Sequence, residues 1–323
     1  MKAAIFDTAG NPFRVLEIKE LPKPSPKNGE VLVKVIASPI NPSDTMFVQN
    51  LYGIRPVFPS PAGFEGVGII EETGEGVSLA VGTRVSFTTI GAWAEYAIAV
   101  AKTVIPVPET MPDDVAAQLF VNPFTAYAMV LDSGVEAGGW LMLSAAGSAF
   151  GKMVIQVCKL KDIKTIGTVR RPDMIAELKA LGATEIIDTS IENVAKRVKE
   201  ITNGQGVPCI LEAISGQAAA EIIPCLSQGG KMLVYGSLSV DNIPLNAGTM
   251  IFKEITLKGF WLSSWLRTAN PEARKEVMTN VVKLLSSGEI VLPIEQRYPL
   301  DNIKDAVTHA DTEGRRGKIL VMC

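Results

Sequence analysis

The feature that most constrains this chain is a change of pattern near residue 122. Before it, short β-type runs such as Glu30-Val31-Leu32-Val33-Lys34-Val35 and Gly66-Val67-Gly68-Ile69-Ile70 are cut by turn residues. Gly74-Glu75-Gly76 and Val81-Gly82-Thr83 are examples. Short strands punctuated in this way specify a β-rich domain. After residue 122, apolar strands alternate with helical stretches, which specifies a parallel sheet built from βαβ units. A chain of 323 residues has room for both architectures.

The second region predicts six strands: Trp140 to Ala145, Lys164 to Val169, Glu185 to Asp188, Pro208 to Ala213, Lys231 to Gly236 and Ile255 to Leu262. Helices fit between them. Residues 151–161 carry Met153, Val154, Val157 and Leu160 at helical spacing. Residues 173–181 do likewise, and Gly182 stops them. Six strands with crossovers make a doubly wound dinucleotide-binding domain, so the fold class is α/β. A long amphipathic helix follows at about 271–287, ended by Gly288, and Gly317 to Val321 reads as a last strand.

Composition excludes several function classes. The net charge is −3 with both signs mixed along the chain, whereas a nucleic-acid binder needs a basic stripe. No run of 18 apolar residues offers a membrane span. The amino terminus, Met1 to Phe6, already reads as a strand rather than a targeting segment, so a cytoplasmic protein is expected. Cys158, Cys209, Cys225 and Cys323 are far apart and fit no zinc spacing. They are expected as reduced thiols. The single histidine, His309, lies in a helical stretch near the end. Little material remains for a metal site, and none is expected.

The first strand of the second region runs into Ala146-Gly147-Ser148-Ala149-Phe150-Gly151 and then a helix. Of the three glycines in a dinucleotide fingerprint, only Gly151 is in place. Small residues still allow close approach of a pyrophosphate, and a helix N-terminus still offers N–H groups. At the end of the next strand, NAD-binding proteins place an acid for the ribose hydroxyls. Here Arg170 and Arg171 stand instead, with Asp173 beyond Pro172 expected as a helix N-cap. Guanidinium forks suit a 2′-phosphate, so NADPH is the expected cofactor.

Four further segments point to a family. They are Asn41-Pro42-Ser43-Asp44, Leu51-Tyr52-Gly53, Phe252-Lys253-Glu254 and Gly259-Phe260-Trp261-Leu262-Ser263-Ser264-Trp265. Together they resemble the NADPH-dependent 2-enoyl thioester reductases, a zinc-free branch of the medium-chain dehydrogenase/reductase superfamily. The resemblance implies a GroES-like β-rich catalytic domain, residues 1–121 with 266–323, and a Rossmann NADPH-binding domain, residues 122–265. Zinc-dependent members carry Gly-His-Glu where this chain has Gly63-Phe64-Glu65. Phe64 cannot bind a metal. Without a Lewis acid, substrates whose reduced form delocalises charge are favoured: enoyl thioesters, enones or quinones.

Tyr52 stands where the family keeps its catalytic tyrosine. A phenol is protonated at neutral pH and can hold the substrate oxygen or pass a proton. Phe260, Trp261 and Leu262 are implied to pass the nicotinamide, with Trp261 also lining the acyl site. Asn41, Asn122, Thr125, Tyr235, Gly236, Ser237, Leu238 and Lys318 are implied cofactor contacts, beside Ser148, Ala149, Phe150 and Gly151 of the turn. A homodimer joined at the edges of the Rossmann sheets is also implied. Two other readings stay open: an NADPH:quinone oxidoreductase, and a non-catalytic dinucleotide-binding protein of the crystallin type.

Overall fold

The computed structural model describes all of residues 1–323. The chain opens with β1 (Lys2–Phe6), α1 (Pro12–Val15), β2 (Glu17–Glu20), β3 (Glu30–Pro39) and α2 (Pro42–Val48). Then come β4 (Ser60–Pro61), β5 (Glu65–Thr73), β6 (Arg84–Thr88), β7 (Tyr96–Val100), β8 (Ile105–Pro106) and α3 (Asp113–Ala116). Strand β3 has Val31, Val33 and Val35 at alternate positions, and all three point into a core with Ile70, Val85 and Phe87. Period-two burial of β-branched residues is what holds this strand in register.

The second region contains α4 (Val121–Asp132), β9 (Trp140–Leu143), α5 (Ala149–Leu160), β10 (Lys164–Val169), α6 (Ile175–Leu181), β11 (Glu185–Asp188) and α7 (Val194–Ile201). It continues with β12 (Val207–Glu212), α8 (Gly216–Ile222), β13 (Leu226–Val234), α9 (Ala247–Lys253), β14 (Thr256–Gly259), α10 (Leu262–Thr268) and α11 (Pro271–Ser286). Its six strands form one parallel sheet in the order β11-β10-β9-β12-β13-β14. The order reverses between β9 and β12, where doubly wound sheets bind ligands at the carboxyl ends of their strands. All six expected strands are present.

Three differences from expectation bear on the site. The sixth strand stops at Gly259. The Phe260 N–H still bonds Val234 O at 2.7 Å, but the carbonyl of Trp261 accepts from Ser264 and Trp265 and starts α10. Leu262 is therefore helical. Asp173 is not an N-cap. It lies inside a short 3-10 turn, Pro172–Met174, and its carboxylate takes the Arg171 fork. Helix α5 begins at Ala149 rather than 151, because the Ser148 hydroxyl caps it by accepting the Gly151 N–H at 3.0 Å.

The chain ends with β15 (Ile294–Pro299), α12 (Ile303–Asp311) and β16 (Lys318–Met322). Strand β16 pairs antiparallel with β3, Val321 opposite Ser38, so the tail returns to the first region. The two compact units are Met1–Val121 with Val282–Cys323, and Asn122–Val281. The return thus falls at Val282 rather than at residue 266. Most of α11 stays with the Rossmann unit, where Glu276 bonds Tyr127 and Lys161, each at 3.3 Å.

His309 lies on α12, bonded through Nδ1 to the Tyr298 hydroxyl at 3.0 Å. The four cysteines are unpaired, and three are buried. Burial pushes the Cys209 and Cys225 thiols up to about 12, so neither is an activated nucleophile. No helix is long and apolar enough to cross a membrane.

Candidate active site

In the Rossmann unit the site is built from backbone and small side chains. Strand β9 ends at Leu143, and the chain turns through Ala145, held in the left-handed region at φ 49°. Non-glycine residues rarely adopt that conformation, and turns that do are often functional. Gly151 has no room for a side chain, since a Cβ would lie 2.6 Å from Ala146 O and 2.7 Å from Ala145 O. The last glycine of the fingerprint therefore does its usual work of letting helix and strand close on each other.

Ala146 replaces the first fingerprint glycine, and the neighbouring strand provides its space. A Cβ on Gly167 of β10 would stand 2.7 Å from the Ala146 methyl. The Gly167 position was not among the sequence-derived site residues. Its only signal was a glycine inside a strand.

Ala149 and Phe150 open α5, where N–H groups lack intrahelical partners and the helix dipole is positive. The Tyr235 ring lies 4.3 Å from the Phe150 ring, which brings the 235–238 segment against the turn. Gly236 is half-buried, while Ser237 and Leu238 are exposed. Burial first, and then the nearby Glu212 carboxylate, push the Tyr235 phenol upward, so it remains protonated.

Glu212 is fully buried at the end of β12, and its Oε1 accepts the Ser215 N–H at 2.9 Å and the Ile214 N–H. It holds the loop in which Ser215 takes φ 68°, ψ −166°, a conformation largely restricted to glycine. Sequence reading missed Glu212. The available signal was one acid in the apolar run Cys209-Ile210-Leu211-Glu212.

Arg170 and Arg171 follow β10 directly. Arg170 is exposed. Arg171 donates through Nε and Nη2 to the two Asp173 carboxylate oxygens, at 3.2 and 3.1 Å. Asn122 and Thr125 lie on the first turn and a half of α4, half-buried. Phe260 is buried and Trp261 half-buried, with the Arg267 guanidinium 5.6 Å over the Trp261 ring.

The other unit holds the tyrosine. Tyr52 lies on the loop after α2, its ring 5.3 Å from Phe64. Phe64 in turn lies 5.1 Å from Phe47. The three rings form one aromatic cluster, tilted against each other at 38° and 55°. No group of three His, Cys, Asp or Glu side chains is arranged to hold a metal.

The same unit holds a buried polar cluster that sequence reading did not assemble. Asn41 Nδ2 donates to Glu65 Oε1 at 2.8 Å, and Asn41 Oδ1 accepts from the Lys318 ammonium. Lys318 Nζ also donates to Ile40 O at 3.2 Å. The other Glu65 oxygen accepts the Phe120 and Val121 N–H groups, at 3.0 and 2.8 Å. Asp44 Oδ2 accepts the Asn41 N–H at 2.7 Å, and Asp44 Oδ1 is buried without a partner.

Burial dominates the electrostatics of this cluster. It pushes the Asp44 carboxyl up to about 7, raises Glu65 as well, and lowers Lys318 to about 8. Asn41 and Lys318, both expected against the cofactor, direct these bonds into their own unit. Sequence separation hid the cluster, because Lys318 lies 277 residues from Asn41.

Comparison with known proteins agrees with this architecture. Residues 27–109 match the alcohol dehydrogenase GroES-like domain, and residues 149–285 match the zinc-binding dehydrogenase family. The chain is 32% identical over 316 residues to the mitochondrial enoyl-[acyl-carrier-protein] reductase of Rattus norvegicus, covering 95% of this chain and 84% of the relative. Among solved structures, a quinone oxidoreductase of Pseudomonas syringae superposes with TM-score 0.91 at 27% identity, covering 100% of this chain and 99% of the other. The Escherichia coli quinone oxidoreductase complexed with NADPH has the same fold, with TM-score 0.92 at 24% identity and complete coverage of both chains. The chain therefore belongs to the medium-chain dehydrogenases/reductases, in the branch that holds the enoyl reductases and the quinone oxidoreductases.

Proposed function

We propose that this protein is an NADPH-dependent, zinc-independent reductase of activated carbon–carbon double bonds, acting on 2-enoyl thioesters. The observation that carries the reading is the Tyr52 phenol, a hydrogen-bond donor whose ring lies 5.3 Å from Phe64, the residue that replaces the metal-ligating histidine of zinc-dependent members. The rat relative, an enoyl-[acyl-carrier-protein] reductase, supports the thioester as substrate.

The residues of the Rossmann unit fit NADPH. Gly151 lets α5 close on the turn that precedes it, the α5 N-terminus offers N–H groups that would suit a pyrophosphate, and Arg170 and Arg171 end the next strand. NADPH held there would supply a hydride for the β-carbon of the thioester. Tyr52 donates its hydroxyl to the thioester oxygen, stabilises the negative charge that develops there, and assists protonation at the α-carbon. Trp261 offers a flat apolar wall to the acyl chain. Lys318 and Glu65 hold Asn41 in place rather than meeting the substrate.

The second reading, a quinone reductase, is favoured by the Pseudomonas syringae structure. Both readings share the cofactor site. The test is NADPH consumption with crotonyl-CoA and, separately, with a simple quinone. Preferential turnover of the thioester is expected. Turnover of the quinone alone would move the protein to the second reading, and no turnover of either would favour a binding protein.

The same proposal includes a homodimer. Strand β14 is the outer strand of the parallel sheet, and beside it in sequence Ile251 and Phe252 are 66% and 81% exposed. An unpaired edge with large apolar neighbours is a surface that a second copy can cover by two-fold pairing. Phe252→Glu is expected to yield monomers in analytical ultracentrifugation. A variant still dimeric at micromolar concentration would place the interface elsewhere. Unpaired cysteines suit a reducing compartment.

A further inference from the structure

The loop that carries Tyr52 has two differently exposed sides. Tyr52 and Ile54 are half-buried and pack on the aromatic cluster with Phe47 and Phe64. Gly53 and Arg55 are exposed. Pro56 follows Arg55 and biases it to extended backbone, so this alternation is built into the chain. Arg55 Nη1 donates to Asn50 Oδ1 at 3.2 Å. That partner is a neutral amide.

Arg55 carries a charge that no carboxylate offsets. Arg84, Arg171, Arg197 and Arg297 each pair with a carboxylate. Arg55 has no such partner. An uncompensated guanidinium therefore stands three residues from the candidate acid, a backbone span of at most about 11 Å. Its exposed neighbours in the loop are apolar, with Leu51 57%, Val57 83% and Phe58 43% exposed.

A carrier-bound enoyl thioester has a matching asymmetry. Its carbonyl must reach the acid inside, whereas its phosphate stays at the surface, because burying that charge is costly. Between the two lies the largely neutral pantetheine arm. On the enoyl reductase reading above, we propose that Arg55 binds the phosphate of the pantetheine arm, the group shared by coenzyme A and carrier-protein thioesters. The fork matches phosphate oxygens in a two-point contact, and a simple quinone offers it nothing. Arg55 is then a specificity residue. It adds uniform binding energy, which appears in KM rather than in kcat.

The test compares Arg55→Ala and Arg55→Lys with wild type on three crotonyl thioesters: N-acetylcysteamine, 4′-phosphopantetheine and coenzyme A. Arg55→Ala should raise KM about tenfold or more for the two phosphate-bearing substrates, the loss of one charge-assisted contact. Its kcat should stay within about twofold, and the N-acetylcysteamine thioester should be hardly affected. Arg55→Lys should recover part of the loss. Crotonyl-loaded acyl carrier protein distinguishes the source, since the carrier with the larger loss is the one whose phosphate is read. Equal loss on all three thioesters, no loss on any, or a loss confined to coenzyme A would each overturn the assignment. If wild type reduces none of the thioesters, the enoyl reductase reading itself fails, whatever Arg55 does.

Discussion

The two units assemble their candidate sites by different means. In the Rossmann unit the work is done by backbone and small side chains: a cap from the Ser148 hydroxyl, a close approach at Gly151, and a small-residue pair at Ala146 and Gly167. In the other unit it is done by side chains. Three rings pack together at Phe47, Phe64 and Tyr52, and four buried polar groups interlock in the same unit. A backbone site depends on local geometry, so it tolerates change at most side chains. A side-chain site depends on partners far apart in sequence, so single substitutions should be felt strongly.

The largest expected effect tests the exception in the Rossmann unit, where side chains do discriminate. Replacing Arg170 and Arg171 together by Ala should weaken NADPH about 100-fold, at roughly 1.5–3 kcal/mol per charge-assisted bond. NADH should lose far less. Binding titrations with both cofactors measure this, and equal losses would show that the pair does not read the phosphate.

Next comes the side-chain site itself. Tyr52→Phe keeps the ring on Phe64 and removes only the hydroxyl, so kcat should fall at least about tenfold while NADPH still binds. Unchanged turnover would remove Tyr52 from the chemistry.

The smallest effect concerns the buried cluster. Asp44 has a folded value near 7, above the unfolded value near 3.9, so the folded chain holds a proton that the unfolded chain releases. The stability it contributes is complete below about pH 4 and is lost as pH rises through about 7. Lys318 acts in a different window. Its lowered value near 8 costs stability as pH falls from about 10.4 to 8, and it adds no slope below that. Denaturant titrations between pH 5 and 8 should therefore show wild type losing stability toward pH 8. Asp44→Asn should flatten that slope, and an undiminished slope would assign the proton elsewhere, with Glu65 the first candidate.

Local patterns carried much of this molecule. The alternation at Val31, Val33 and Val35 specified a strand, and the spacing of Met153, Val154, Val157 and Leu160 specified a helix. Gly182 and Gly288 stopped their helices, at φ 112° and 73°. The turn at Ser148 to Gly151 was legible for the same reason, because capping and close approach act over a few residues. Asp173 was misread because Arg171, two residues away, competes for its carboxylate. The sixth strand was drawn too long because Phe260-Trp261-Leu262 has strand propensity, while the helix that starts at Leu262 takes over its backbone bonds.

What the sequence determined by itself, then, were the two architectures, the order of the strands along the chain, and the residues at the turn and at the end of β10. Each follows from spacing or from chemistry between near neighbours. Only the tertiary structure decided that Glu65 bonds Asn41 and the Phe120 and Val121 N–H groups, that Lys318 joins them from the last strand, and that Phe64 packs between Phe47 and Tyr52. These contacts join segments far apart in the chain. A buried charge needs a partner, and sequence spacing does not reveal which distant segment supplies it.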